Sequence, residues 1–122
     1  MKILICDKLD SSAIKELNKM GTCVDISTVE DKRDQLLNHI PNTDLVLIRS
    51  ATTVDKEVID VAENLKIIAR CGVGLDNVDI TAASKKGIYV TNSPEANIIS
   101  VAELTVGLII ACARNIIQGN NS

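Results

Sequence analysis

Aromatic residues are almost missing from this chain, with one tyrosine, no phenylalanine and no tryptophan in 122 residues. Tyr89 stands alone, so the core has to be aliphatic. Positive charge is not in excess either. Thirteen Lys and Arg stand against sixteen Asp and Glu, a formal charge of −3, which offers no sequence-independent attraction to nucleic acid or to anionic lipid. Long hydrophobic runs are also lacking. The longest nearly unbroken one, Leu104 to Ala113, is half of the roughly 20 residues a membrane span needs, and the N-terminus carries no signal-peptide pattern. The four cysteines, Cys6, Cys23, Cys71 and Cys112, are scattered, with no C-x-x-C pair and only His39 as an imidazole. This spacing argues against a zinc site and fits reduced, mostly buried thiols in a cytosolic protein. What remains, 46% apolar and 24% charged residues, is the balance of one ordinary globular domain, too short for a complete two-domain protein.

Short aliphatic runs recur at Ile3 to Cys6, Cys23 to Ile26, Leu45 to Ile48, Ile67 to Arg70 and Ile88 to Thr91. Each is bounded by polar or turn residues, and together they predict five buried strands. Helical periodicity fills the gaps. Ala13, Ile14, Leu17 and Met20 form one face with Gly21 as its stop, and Leu36, Leu37 and Ile40 form another, ended by Pro41. Val54, Val58, Ile59 and Ala62 form a third behind a Thr53 cap, while Asp79 caps a short helix running to Gly87. Strict alternation with continuous apolar strands predicts an α/β fold: a doubly wound parallel sheet of about five strands, covered by helices on both faces.

The stretch Ser100 to Ile117 is different. It opens with a capping box, Ser100 and Glu103, and Arg114 is its only other charge. A helix apolar almost all round has to be buried on every side, and one small sheet cannot enclose it. The expectation is that it packs on a second domain or a partner subunit, so that the chain by itself associates.

In an open α/β sheet, ligands bind outside the carboxyl ends of the strands. The residues expected there are Asp7, the Arg49-Ser50 pair, Cys71 to Gly74, and Asn92 to Pro94. A guanidinium beside a hydroxyl suits a phosphate or carboxylate, although an arginine salt-bridged to a neighbouring acid reads equally well from the residues. Gly72-Val73-Gly74 can bring backbone amides close to an anion or can simply be a tight turn. It does not read as a dinucleotide fingerprint, because Asn77 stands where the third glycine belongs and the loop follows the fourth strand, not the first. Asn97 could offer an amide to the same crevice. His39 reads as a partly exposed helix-end imidazole with no role. No nucleophile pairs with a base and no carboxylates cluster, so the chain holds binding groups without an acid, base or nucleophile set.

Three segments carry a family resemblance: VLIRSAT from Val46, IIARCGVGLDNVDITAASKKGIYVTNSP from Ile67, and NIISVAELTVGLIIACAR from Asn97. Together they resemble the D-2-hydroxyacid dehydrogenases. The resemblance implies a flavodoxin-like substrate-binding domain over 1–96 and a linking helix over 97–122 that leads into a nucleotide-binding domain. It further implies Arg49 and Ser50 at a phosphate end of a small 2-hydroxy acid, the amides of Val73 and Gly74 at its carboxylate, Val73 also near the nicotinamide of NAD, and Asn97 beside the reacting carbon. A homodimer or higher homo-oligomer would form through the long helix, with no nucleic-acid or membrane partner. The family's G-x-G-x-x-G loop for NAD and its catalytic arginine, histidine and glutamate have no counterpart in these 122 residues, so the chain looks like the N-terminal part of such an enzyme, expected to be inactive alone. A phospho-receiver module has similar length and alternation. It needs an acceptor aspartate after strand three, where Arg49 and Ser50 stand. A free-standing dimeric binding domain is the third reading.

Overall fold

A computed structural model of the chain describes residues 1–72 and 74–93. Five strands alternate with four helices: β1 (Lys2–Ile5), α1 (Ser11–Met20), β2 (Thr22–Asp25), α2 (Lys32–His39), β3 (Leu45–Ile48), α3 (Lys56–Val61), β4 (Ile67–Cys71), α4 (Ile80–Lys85) and β5 (Tyr89–Ser93). All neighbouring strands are parallel, in the order β2-β1-β3-β4-β5. This is the doubly wound arrangement expected from the alternation. The linking helix expected from Ser100 lies outside the described residues.

The strand sequences explain their positions. β3 is buried at all four residues and β1 at three of four, because both lie inside the sheet with helices on each side. Alternate side chains feed two cores. Leu4, Cys6, Val46, Ile48 and Ile68 pack with Leu36, Val58, Ile59 and Ala83 of the α2, α3 and α4 layer and with Ile40 just after α2. Ile3, Ile5, Leu45, Leu47, Ile67 and Ala69 face the opposite way, where Ala13 and Leu17 of α1 join them. Each fully buried Leu or Ile contributes about 1.5–3 kcal/mol, so an aliphatic core needs no aromatic ring to hold a domain of this size.

Not every expected strand is buried. Thr22, Val24 and Asp25 of β2 are exposed and Cys23 only half-buried, because β2 is an edge strand with one neighbour. Tyr89, on the other edge strand, is 56% exposed, so the single aromatic residue is not a core residue.

Two helix boundaries also differ from expectation. α3 is capped by Asp55 and not by Thr53: the Asp55 carboxylate accepts the Val58 amide at 3.2 Å and is itself gripped by Arg33 of α2 at 3.0 Å. Val54, expected on the helix face, instead pairs with Val78 in an isolated parallel bridge. α2 ends at His39, and Pro41 sits within a following 3-10 turn, Ile40–Asn42. The Asp79 cap of α4 forms as expected, accepting the Ala82 amide at 3.0 Å.

Candidate functional site

The winding of the sheet reverses between β1 and β3. α1 leaves β1 toward one face and α3 leaves β3 toward the other, so the two strand exits diverge and open a crevice at their carboxyl ends. Asp7, two residues beyond β1, sits at its base and is only 4% exposed. One carboxylate oxygen accepts the Arg49 amide at 2.6 Å; the other accepts the Thr52 hydroxyl at 2.7 Å and the Lys32 ammonium at 3.0 Å. Burial alone would raise the Asp7 pKa. The hydrogen bonds from Arg49, Thr52 and Lys32, together with the Lys32 charge, outweigh burial and hold the carboxyl below its usual range.

These bonds turn the acid inward and leave a different chemistry at the surface. Arg49 and Ser50 are both exposed, and the Arg49 guanidinium lies across the Lys8 carbonyl at 3.2 Å. With Lys8, Ser27, Lys32 and Ala51 they line an open depression of about 330 Å³, at the small end of the roughly 300–1,000 Å³ usual for ligand sites. Its cations outnumber its acids, and its one acid is already satisfied. Next to it, Lys32, Arg33, Leu36 and Ala51 to Thr53 enclose a further 170 Å³. The arrangement can take an anion of phosphate or carboxylate size. It carries no nucleophile-base pair among the described residues.

The loop after β4 borders the same crevice. Gly72 has φ +149°, a backbone conformation open mainly to glycine. At Gly74 a side chain would come within 2.9 Å of the Arg70 guanidinium, which folds back to donate to the Gly74 carbonyl. Asn77 then reaches across to the first loop. Its carboxamide donates to the Arg49 carbonyl at 2.7 Å and to the Thr52 carbonyl at 2.6 Å. Two buried polar atoms, Arg70 Nε and Asn77 Oδ1, have no hydrogen-bond partner among the described residues.

Of the residues singled out from sequence, Arg49, Ser50 and Gly74 fall on these two adjoining loops. Val73 and Asn97 lie outside the described residues. His39 is half-buried at the C-terminal end of α2, and borders a separate 260 Å³ depression with Lys2 and Thr22 at the amino end of the sheet. Cys6 and Cys71 are buried and Cys23 is half-buried. Burial, reinforced by the Asp7 charge and partly offset by Lys32, pushes the Cys6 thiol up to about 12. Sequence reasoning placed Asp7 at the crevice without a role and overlooked Lys32, Thr52 and Arg70. Arg70 had a usable signal, a lone charge in an otherwise apolar strand.

Asn77 also answers the fingerprint question. A pyrophosphate cradle needs a third glycine and a helix starting at the loop. Here that position is a side chain engaged with Arg49 and Thr52, and α4 begins only at Ile80. The described residues do not fit the body of a dinucleotide.

Over its full length the chain is 49% identical to the D-3-phosphoglycerate dehydrogenase of Methanocaldococcus jannaschii, covering 23% of that protein. It is 41% identical to the hydroxypyruvate reductase of Thermotoga maritima across 99% of the chain and 39% of the relative. It also superimposes on the crystal structure of NAD+-bound 3-phosphoglycerate dehydrogenase of Entamoeba histolytica with a TM-score of 0.63, at 29% identity, over 90% of this chain and 38% of that one. The chain thus spans about a quarter of the length of its first-named relative. Residues 3–118 match the family model of the D-isomer specific 2-hydroxyacid dehydrogenase catalytic domain, and the chain belongs to that family.

Proposed function

We propose that this chain is the substrate-binding part of an NAD-dependent D-3-phosphoglycerate dehydrogenase, in which the intact protein oxidises 3-phosphoglycerate to 3-phosphohydroxypyruvate for L-serine biosynthesis. The observation that carries the reading is the exposed Arg49-Ser50 pair at the β1/β3 crevice, built on a buried, already neutralised Asp7. A carboxylate alone needs no second anion site, whereas a phosphorylated acid does. Arg49 and Ser50 hold the phosphate, the amides of Val73 and Gly74 hold the carboxylate, and Asn97 stands beside the reacting carbon. Residues 1–96 form the substrate-binding domain and 97–122 the linking helix, through which a homodimer or larger homo-oligomer assembles.

NAD supplies the hydride acceptor. Since the described residues of the β4–α4 loop do not fit its pyrophosphate, the nicotinamide end is the part of NAD assigned to this chain, beside Val73. The task left to these residues is orientation of the acid, and holding reacting groups in place accounts for a large share of catalysis in such two-part sites. Four scattered cysteines with no C-x-x-C pair and the net negative charge accord with a cytoplasmic protein that binds neither nucleic acid nor membrane.

The test is turnover by the intact protein. Arg49→Ala should raise KM for 3-phosphoglycerate about 10- to 100-fold, the range of a lost charge-assisted hydrogen bond pair, and leave glycerate nearly unaffected. An unchanged KM for the phosphorylated acid rejects the assignment. The likeness to a hydroxypyruvate reductase supports a second reading, an enzyme for unphosphorylated acids such as glycerate or lactate. A preference for those over 3-phosphoglycerate would establish it.

A further inference from the structure

The segment from Arg49 to Thr52 is gripped at both ends by two side chains, Asp7 and Asn77, that the proposed reading does not bring to the substrate. Asp7 accepts the Arg49 amide at 2.6 Å and the Thr52 hydroxyl at 2.7 Å. Asn77 donates to the carbonyls of those same two residues, at 2.7 and 2.6 Å. Between the clamped ends only Ser50 and Ala51 remain, both exposed. The two clamps are chemically complementary: a pure acceptor takes the donors, and an amide nitrogen takes the acceptors. Neither could replace the other.

We propose that Asn77, acting opposite Asp7, is a positioning residue that fixes the peptide around Arg49 and Ser50 so that guanidinium and hydroxyl meet the anionic end of the substrate already oriented. The inference rests on the reading that Arg49 contacts that end. Its physical basis is preorganisation: a loop of four residues on the surface would otherwise satisfy its amides and carbonyls with water and sample many conformations, and each one lost on binding weakens the complex. Asn77 is not needed to attach the two loops to each other. The Val54–Val78 bridge does that through the main chain, with the Val54 amide donating to the Asn77 carbonyl and the Asp79 amide to the Val54 carbonyl, both at 2.9 Å. Asn77 is half-buried, and its Oδ1 has no hydrogen-bond partner among the described residues. Its two hydrogen bonds have a local object, the carbonyls on either side of Ser50 and Ala51.

The experiment is a double-mutant cycle on the intact protein, with Arg49→Ala, Asn77→Asp and the pair, read as KM and kcat for 3-phosphoglycerate. Asn77→Asp keeps the shape and sets a carboxylate against two carbonyls. It is expected to raise KM about tenfold with kcat within about twofold, since the loss is in ground-state positioning and not in chemistry. In the Arg49→Ala background the same change should add almost nothing, because a residue that acts through Arg49 has nothing left to position. Additive effects, or an unchanged KM in Asn77→Asp, overturn the proposal while leaving the Arg49 reading intact; an unchanged KM in Arg49→Ala removes the reading beneath it. Asn77→Ala, which deletes the donors without adding charge, serves as the second variant. If neither variant folds by circular dichroism, Asn77 supports the fold and not the loop, and the proposal fails.

Discussion

The two ends of this sheet are built from the same five strands by opposite means. At the amino ends the main chain closes on itself: the Asp44 carbonyl accepts the amides of Lys66 and Ile67, the Met1 carbonyl accepts Thr22, the Lys66 carbonyl accepts Tyr89, and the Asp44 amide donates to Lys2. Side chains there add to this backbone frame from its margins: the Asp44 carboxylate accepts the Lys2 amide at 2.8 Å, and Asn64 donates to the Pro41 carbonyl at 3.1 Å. At the carboxyl ends the order comes from side chains. Asp7, Lys32 and Asn77 hold loops that the main chain joins only through the Val54–Val78 bridge, and the first of these loops displays Arg49 and Ser50. The difference bears on where a parallel sheet can host a ligand: at the amino ends backbone groups are largely taken up in pairing, while the carboxyl ends, ordered by side chains, present a charged rim.

The largest effect that could break this contrast is on stability. Asp7→Ala leaves the Lys32 ammonium, the Thr52 hydroxyl and the Arg49 amide without their shared partner, and should cost about 3 kcal/mol. Asp44→Ala removes one exposed hydrogen bond at the other end and should cost about 1 kcal/mol or less. Urea unfolding of both variants checks it, and a cost for Asp44→Ala equal to that for Asp7→Ala would erase the distinction. Acid sharpens the same comparison. The Asp7 carboxyl is held below its ordinary 3.8, so its contribution is complete above that value and is lost as pH falls through the lower, folded-state pKa. Wild type should therefore destabilise more steeply below about pH 4 than Asp7→Asn does.

At the amino ends, among the described residues, Lys86 is the side chain with the most hydrogen bonds to backbone. Its ammonium caps the C-terminus of α3, donating to the carbonyls of Ile59, Asp60 and Ala62 at 2.7, 3.1 and 3.3 Å. These are carbonyls a helix end leaves unsatisfied, and a cation there is favoured by the helix dipole as well. Lys86→Met keeps the aliphatic stem and should cost about 1–2 kcal/mol, less than Asp7→Ala because the carbonyls regain water. Thermal unfolding of the variant measures it; no change would mean that solvent serves these carbonyls equally well.

The architecture was legible in the residues because the central strands carry continuous aliphatic runs, and runs such as LVLI can only be buried. Asp79 as a cap was legible too, since a carboxylate four residues ahead of Ala83 has an obvious local target. The site was legible only at its rim. Arg49, Ser50 and Gly74 stand at strand ends where position alone marks them. What holds them was hidden, because its partners are distant in the chain: Lys32 meets Asp7 across 25 residues, and Asn77 meets Arg49 and Thr52 across 28 and 25. Hydrogen bonds from side chains to remote backbone leave no periodicity and no motif. Asn77 thus reads as a failed glycine, and the α3 cap falls at Asp55, two residues past the expected Thr53, where Arg33 from another helix steadies it.

The smallest effect separates two thiols. Cys6 follows β1 beside Asp7, and its pKa is pushed from 9.0 up to about 12 by burial and by the neighbouring carboxylate. Cys23, half-buried on the edge strand β2, is raised by burial and by Asp25. A thiol whose folded-state pKa exceeds its unfolded one stabilises the fold fully below the unfolded value and loses that contribution as pH rises, for Cys6 between about 9 and about 12. Near pH 10 the loss amounts to about 1 kcal/mol, and Cys6→Ala should flatten the alkaline limb of the stability profile by that much while Cys23→Ala flattens it less. Chemical labelling gives an independent reading. Alkylation at pH 9 under native conditions should reach Cys23 first, and Cys6 only at the rate of unfolding. Equal rates would show that the carboxyl end of β1 opens to solvent as readily as the sheet edge, which the buried Asp7 cluster is built to prevent.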